Sequence, residues 1–132
     1  MVKKYIISKV KTTSGLLAPL WKDYDPIPKI KPRYIYYTTC AAGATKGPYL
    51  HEKRRGLLAL IEGKAVFIYK TQRSFSKLYL DASKEVAMLD IPKKTAYLIK
   101  NPYKKESKFI NICDYPWKKN DNETKTPNWQ PS

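Results

Sequence analysis

Three side chains with different acid–base chemistry alternate along one short segment of the sequence: Tyr49, His51 and Lys53. Alternate residues of a β-strand project to the same face, so a strand here would present a phenol, an imidazole and an ammonium group together. An imidazole with an ordinary pKa of roughly 6.5 accepts a proton at neutral pH, and a tyrosine hydroxyl donates a hydrogen bond to a developing oxyanion. His51 is the only histidine in the chain, so it is the single candidate for an imidazole base.

The charge of the chain favours an anionic partner. Lys and Arg number 26 against 11 Asp and Glu, a formal net charge of +15. Such a balance suits nucleic acid, a membrane surface or a phosphorylated small molecule. The lysines are scattered along the chain, which weakens the case for a nucleic-acid surface. The longest apolar run, residues 57–61, is far too short to span a membrane, and no signal peptide is visible, so we expect a cytoplasmic protein.

The cysteine and histidine content argues against a metal centre. Two cysteines, Cys40 and Cys113, cannot build a disulfide framework, and both lie in apolar runs, so we expect buried free thiols. One histidine leaves too few ligands for a catalytic metal, and we predict neither a metal nor another cofactor.

The pattern of short apolar runs predicts an all-β fold. The clearest predicted hairpin joins residues 57–61 to residues 65–69 through a tight turn at Glu62, Gly63 and Lys64. Regularly spaced strands of this kind indicate a sandwich or barrel. We expect one domain over residues 1–117 and a loosely ordered polar tail over 118–132, which Trp117 and Trp129 would pin to the body or to a second subunit. Further strands are predicted at residues 4–8, 16–19, 33–39, 49–52, 77–80, 86–91, 96–99 and 109–113.

The segment around His51 resembles the first sequence motif of the cupin family. Gly43 and Gly63 fall at its outer glycines, and His51 falls on its second histidine. Tyr49 takes the place of the first histidine, and Gly56 stands where the motif has an acidic metal ligand.

A second segment, in the expected order along the chain, resembles the second cupin motif. Pro92 and Asn101 match it, whereas Lys94 and Tyr97 replace its glycine and histidine. Together the two segments imply a cupin-type double-stranded β-helix, a jelly-roll barrel. Of the four usual metal ligands only His51 remains, which implies a metal-free member.

Further segments are similar to one branch, the RmlC-like 3,4-ketoisomerases and 3,5-epimerases of dTDP-4-keto-6-deoxy sugars. They run from Arg33 to Tyr37, from Lys46 to His51, from Leu17 to Asp23, and from Asp114 to Trp117 followed by Asp121 to Glu123. The resemblance implies a homodimeric, metal-free isomerase or epimerase that acts on a nucleotide-linked 4-keto-6-deoxy sugar and serves polysaccharide synthesis. The segment from Tyr5 to Ile7 would be exchanged between subunits.

The chemistry of such a sugar assigns roles to the candidate residues. Carbons beside the ketone carry acidic hydrogens, so a base removes one and an acid returns it elsewhere. His51 is the expected base, with Tyr49 and Tyr97 as catalytic proton or hydrogen-bond donors. Tyr36 and Tyr37 are further phenols. The expected substrate-binding residues are Tyr36, Lys46, Lys53 and Arg55, with Arg54 nearby for the diphosphate.

Two other functions remain open from the sequence. A cupin barrel that lacks the usual histidines would bind a sugar or a nucleotide-sugar without catalysis. A basic barrel with stacking aromatic residues would bind single-stranded nucleic acid, although the paired cupin-like segments make this alternative the less favoured one.

Overall fold

The computed structural model describes residues 1–23, 28–116 and 118–129 of the chain. These ranges contain β-strands and no helix, which confirms the all-β class. None of the described residues forms a helix long and apolar enough to cross a membrane. The strands are β1 (Lys3–Ile7), β2 (Val10–Thr12), β3 (Gly15–Leu17), β4 (Tyr34–Cys40), β5 (Thr45–His51), β6 (Gly56–Glu62), β7 (Lys64–Lys70), β8 (Phe75–Asp81), β9 (Val86–Ile91), β10 (Ala96–Lys100), β11 (Ser107–Cys113) and β12 (Thr124–Lys125).

The strands form two antiparallel sheets of five strands each. The first has the order β1-β9-β6-β11-β4 and the second the order β12-β5-β10-β7-β8. Strands β2 and β3 pair only with each other among the described residues, and they make a small separate hairpin. From β4 onward nearly every connection carries the chain from one sheet to the other, which is the connectivity of a jelly roll.

The main hydrophobic core lies between the two sheets. Leu60 of β6 and Phe109 of β11 meet Phe67 of β7 there, and each is almost fully buried. Burial of such large side chains contributes about 1.5–3 kcal/mol each to folding. The core fixes the distance between the sheets and therefore the shape of any space left between them.

Both outer faces of the barrel are covered as well. On the first sheet, Trp21 packs against a cluster that includes the buried Leu57 and Met88. On the second sheet, Tyr103 and Trp129 pack against Ile68 and its neighbours. Because β6 and β7 are buried on both faces, they are continuous apolar runs with no alternating pattern. The contact of Trp129 with the body is thus confirmed, whereas Trp117 lies outside the described residues.

The predicted hairpin between β6 and β7 is wrong, although both strands exist. Strand β6 pairs with β9 and β11 in the first sheet, and β7 pairs with β8 and β10 in the second. Gly63, with a φ of +87°, turns the chain between the layers at this corner. Two adjacent apolar strands joined by a glycine turn do not reveal whether they pair side by side or stack face to face.

The expectation of a loosely ordered tail is wrong for residues 123–129. Strand β12 pairs with β5, and Glu123 directly before it is 2% exposed. The ring of Trp129 lies 5.0 Å from that of Phe75. This short strand was not predicted, and it carries residues that matter for the site described below.

Replacing Gly63 by alanine should destabilise the protein more than the matched change Gly43→Ala. Both glycines have positive φ, +87° and +76°, so each alanine costs about 1–2 kcal/mol in backbone strain. At Gly63 the new Cβ would also lie 2.8 Å from the carbonyl oxygen of Glu106, while nothing lies within 4 Å at Gly43. We expect Gly63→Ala to lose about 1–3 kcal/mol more in urea unfolding. Equal losses would contradict the tight packing of this corner.

Candidate active site

A cavity of about 240 Å³ lies between the two sheets. Strands of both layers contribute to its walls, and the side chains that line it are mostly polar or aromatic. They are Tyr34, Tyr36, Thr38, Lys46, Tyr49, His51, Arg54, Leu58, Tyr97, Ile99, Asn111 and Thr124. The cavity therefore brings the only imidazole of the chain together with four phenols and two cations.

A larger depression of about 860 Å³ surrounds Gly63 and Tyr103. Its lining consists largely of exposed lysines and carboxylates, and Lys108 is ion-paired with Glu62 there at 2.8 Å. It contains no imidazole or thiol, so we place the candidate site at the smaller cavity.

One ring nitrogen of His51 faces the segment that carries β12. The Nδ1 atom lies 3.3 Å from Oε2 of Glu123 and 3.1 Å from Oγ1 of Thr124. The hydroxyl of Thr124 in turn donates to the same carboxylate oxygen at 2.9 Å. Pairing of β12 with β5 sets Thr124 directly opposite His51, so the strand itself positions these partners.

The other ring nitrogen faces an arginine and a phenol. The Nε2 atom of His51 lies 2.8 Å from Nη2 of Arg54 and 3.1 Å from the hydroxyl of Tyr97. A guanidinium group can only donate, so Nε2 must accept and carries no proton. The ring proton therefore sits on Nδ1 and is donated to Glu123 and Thr124. This is the tautomer that a general base requires, because its basic nitrogen points into the cavity.

The surroundings keep the imidazole uncharged and the neighbouring phenol protonated. Burial, followed by the positive charge of Arg54, lowers the pKa of His51 to about 4, while Glu123 opposes the change. Burial raises the pKa of Tyr97 above that of an ordinary tyrosine. At neutral pH the cavity thus presents an uncharged imidazole beside a phenol that keeps its proton.

A second phenol is held by the first sheet. The hydroxyl of Tyr36 accepts hydrogen bonds from Asn111 at 2.8 Å and from Arg54 at 3.2 Å. Burial raises the pKa of Tyr36 as well. With both acceptor positions taken by these donors, the hydroxyl proton of Tyr36 remains available to a ligand.

Comparison with protein families identifies the chain. The family model described as "FdtA: WxcM-like, C-terminal" matches residues 2–127. The chain belongs to this WxcM-like family. The match covers almost the whole sequence, and it confirms the resemblance to the cupin ketoisomerase branch. No curated protein sequence matches the chain.

Solved structures similar to this WxcM-like chain share its fold. A dTDP sugar isomerase from Desulfovibrio desulfuricans G20 has a TM-score of 0.84 at 14% identity, over 96% of this chain and 83% of the other. QdtA, a sugar 3,4-ketoisomerase from Thermoanaerobacterium thermosaccharolyticum solved with TDP, has a TM-score of 0.80 at 16% identity, over 96% of this chain and 88% of the other. A 3,4-ketoisomerase from Helicobacter canadensis has a TM-score of 0.79 at 18% identity, over 94% of this chain and 89% of the other. These likenesses confirm the predicted cupin-type jelly roll.

Most of the site residues predicted from the sequence meet at the cavity of the WxcM-like barrel. The rings of Tyr49 and His51 lie 6.1 Å apart and nearly parallel, as strand alternation predicts. The ring of Tyr97 lies 5.7 Å from that of Tyr49. Lys46 joins them because the register of β5 against β10 shifts between Lys46 and Tyr49, and such a bulge returns an even-numbered side chain to the odd-numbered face. Its ammonium group donates to the hydroxyl of Thr38.

The predicted binding residues Lys53 and Arg55 do not line this cavity. Strand β5 ends at His51, so the alternation that would have placed Lys53 beside it stops, and its ammonium lies over the ring of Tyr115 at 5.6 Å. Arg55 forms a two-point ion pair with Asp90, at 2.8 and 2.6 Å. Tyr37, one position from Tyr36, is 57% exposed on the other face of β4.

Three functional side chains were missed or undervalued. Arg54 lies between Lys53 and Arg55 in a basic run, and nothing in the sequence indicated that Arg54, rather than its two neighbours, would be the buried cation. Asn111 is a polar residue inside an apolar strand, which is a signal for an inward-facing polar group. Glu123 lies 72 positions from His51. It belongs to a segment that resembles the C-terminal region of the ketoisomerase branch, but no sequence pattern assigned it a role beside His51.

The thiols and carboxylates do not gather into a metal-binding cluster. Cys40 and Cys113 are free and buried, as expected. In the parts of the chain that the structure describes, no three His, Cys, Asp or Glu side chains are placed to share a metal ion.

The single histidine makes its titration directly observable. We expect the Hε1 proton resonance of His51 to titrate with a midpoint near pH 4 in the folded protein, against 6.5 for an ordinary histidine. Because the unfolded chain then binds more protons between pH 4 and 6.5, the free energy of unfolding should fall as the pH is lowered through that window. Proton NMR and urea unfolding at matched pH values measure the two effects. A midpoint near 6.5 would contradict the buried site.

Proposed function

We propose that the chain is a metal-free isomerase of a nucleotide-linked 4-keto-6-deoxy sugar, with dTDP as the nucleotide. One observation carries the proposal: the unprotonated Nε2 of His51 faces the cavity beside the hydroxyl of Tyr97, while Nδ1 is held by Glu123. A base, a neighbouring acid and an orienting carboxylate are the parts that proton transfer at carbon needs. The solved structures of similar fold, described as dTDP-sugar isomerases and 3,4-ketoisomerases, support the same substrate class.

The size and charge of the cavity favour the sugar as the buried part of the substrate. A volume of about 240 Å³ is below the roughly 300 Å³ at which pockets for drug-sized ligands begin, so the nucleotide would lie outside. Lys46 and Arg54 make the cavity positive, which suits both the diphosphate link and a developing enolate.

Ketone migration between C3 and C4 is the favoured reaction. His51 takes the hydrogen of C3 as a proton, and the C3–H electron pair forms the C3–C4 double bond of an enediolate. Tyr97 gives its proton to the oxygen on C4. As the C3–C4 double bond reforms as the C3 ketone, the oxygen on C3 returns a proton to Tyr97, and C4 receives the proton held by the imidazolium. One imidazole suffices if both carbons present the same face, whereas epimerisation needs a second acid on the opposite face.

Non-catalytic binding is the second candidate function, and one observation favours it. The lone pair of His51 Nε2 already accepts a hydrogen bond from Arg54, and a base of such low pKa removes protons poorly. A barrel with this arrangement would bind a sugar-nucleotide without turning it over.

Heavy-water exchange distinguishes the two functions. We expect incubation of dTDP-4-keto-6-deoxyglucose with the protein in D₂O to place deuterium on a carbon next to the ketone, as seen by NMR, with or without EDTA. The variant His51→Asn should exchange at least about 100-fold more slowly, since general-base catalysis typically contributes 10²–10⁴.

Ketone-free dTDP-glucose serves as the matched control, because its hydrogens are not acidified and should not exchange. Binding of the keto-sugar without deuterium exchange would contradict the isomerase and support the non-catalytic binding function. Exchange by His51→Asn at the parent rate would remove His51 as the base.

A homodimer is proposed on the basis of an exposed apolar arm. The hairpin β2–β3 carries Val10, Leu16 and Leu17, which are 61%, 56% and 63% exposed. The segment first expected to be exchanged, Tyr5 to Ile7, pairs instead with β9 of the same chain. An exposed apolar patch on a separate hairpin is typical of a protein contact.

Light scattering should give about twice the chain mass of 15.3 kDa. We expect Leu17→Glu to shift the equilibrium towards the monomer, because it places a charge on the apolar arm. Tyr79→Glu is the control, since Tyr79 is equally exposed, at 67%, but lies on β8. A monomeric parent protein, or dissociation by Tyr79→Glu alone, would contradict this interface.

A further inference from the structure

The guanidinium group of Arg54 occupies the lone pair that the proposed base needs. Its Nη2 atom lies 2.8 Å from Nε2 of His51, closer than the hydroxyl of Tyr97 at 3.1 Å. A neutral imidazole has a single lone pair in the ring plane, so a proton from a substrate carbon cannot be accepted while this hydrogen bond persists. In the arrangement described, the guanidinium therefore caps the base, which means that it occupies the only lone pair with which the imidazole can accept a proton.

Arg54 donates no hydrogen bond to an anionic side chain among the described residues. It is 8% exposed, yet its side-chain hydrogen bonds among the described residues go to two neutral groups, the imidazole of His51 and the hydroxyl of Tyr36. Its Nε atom lies 3.9 Å from Glu123 Oε2, beyond hydrogen-bond distance. A buried charge without a hydrogen-bonded anion is costly, so a negatively charged or strongly accepting oxygen that enters the cavity would compete well for this guanidinium.

We propose that Arg54 caps His51 in the free protein and that an oxygen of the bound keto-sugar takes over its hydrogen bond, which frees Nε2 to accept the carbon proton. The inference rests on the proposed function and adds a role to it. The base would become competent only when the sugar is in place, and the displaced guanidinium would then stabilise the enolate oxygen.

Every group that faces the imidazole is compatible with this exchange. Glu123 and Thr124 hold Nδ1 from β12 and its preceding residue, and Glu123 makes no hydrogen bond to Arg54, whose Nε lies 3.9 Å from its Oε2. Tyr97 projects towards Nε2 from β10 and can turn its hydroxyl to the sugar oxygen, and Tyr49 lies beside the ring on β5. Once the guanidinium donates to a sugar oxygen and no longer to Nε2, while the carboxylate of Glu123 stays at Nδ1, the pKa of His51 rises from its lowered value.

The single histidine allows a direct test with ¹⁵N-labelled histidine. A long-range ¹H–¹⁵N spectrum reports for each ring nitrogen whether it is protonated and whether its lone pair accepts a hydrogen bond. In the free protein we expect a protonated Nδ1 and a strongly hydrogen-bonded Nε2. Saturating dTDP-4-keto-6-deoxyglucose should shift Nε2 towards a free lone pair, whereas dTDP alone should not, because it places no sugar oxygen in the cavity.

Arg54→Met removes the guanidinium and keeps a chain of similar shape. We expect its Nε2 resonance to shift without any ligand, because the hydroxyl of Tyr97 at 3.1 Å is then the donor that remains at the lone pair. We also expect the His51 titration midpoint to rise from about 4, and deuterium exchange to slow by about 100-fold because the enolate loses a donor. A merely structural role would not move the Nε2 signal. Arg73→Met is the matched control, since Arg73 is exposed in the turn between β7 and β8 and should leave all three readouts unchanged.

The outcomes separate this inference from the proposed function. Binding and deuterium exchange of the keto-sugar with no change at Nε2 would overturn the cap and leave the isomerase standing. A shift caused by dTDP alone would overturn the role of the sugar oxygen. Absence of keto-sugar binding would remove both. The spectrum of the free parent protein needs no variant, so a poorly folded Arg54→Met still leaves the cap falsifiable.

Discussion

The site depends on an imidazole buried between opposite charges. His51 is 7% exposed, with a carboxylate at one ring nitrogen and a guanidinium at the other. The low polarity of the surroundings strengthens both contacts and makes each costly to lose. Glu123 holds the ring at Nδ1, and burial, followed by the charge of Arg54, lowers the pKa of His51 and keeps the ring uncharged. An imidazole on the surface would have neither its defined orientation nor its altered basicity.

The barrel supplies this arrangement through strands that are packed on both faces. Tyr97 and Tyr49 project from paired strands of the second sheet, while Tyr36 and Asn111 face them from the first. Large apolar side chains between the layers and the covering aromatic residues outside them leave these strands little freedom to move. Polar side chains on rigid strands keep their positions better than side chains on loops.

The sequence predicted the local features and missed the distant ones. Strand alternation placed Tyr49 with His51, and the cupin resemblance added Tyr97. Strand alternation placed Lys53 in the cavity wrongly, because the strand ends at His51 and no local pattern marks that end. The contact of Glu123 with His51 was not predicted, because residues so far apart in sequence are brought together by tertiary packing, which hydrophobic periodicity does not encode. The predicted pairing of β6 with β7 was wrong for a related reason. Periodicity shows which face of a strand is buried, but it does not show which strand lies beside it.

The corner at Gly63 has a consequence for how the chain reaches its native state. Strands β6 and β7 are neighbours in sequence but belong to different layers and do not pair. Strand β1 pairs with the distant β9, and β4 pairs with the distant β11, so these pairs form only after much of the chain has come together. Within the described part of the chain, only the pairs β7–β8 and β2–β3 are joined by short loops. Pairing distant strands requires long loops to close, and the entropy lost in closing them is not offset until the strands make contact. This raises the kinetic barrier to folding, so we expect the chain to fold in milliseconds to seconds and not in microseconds.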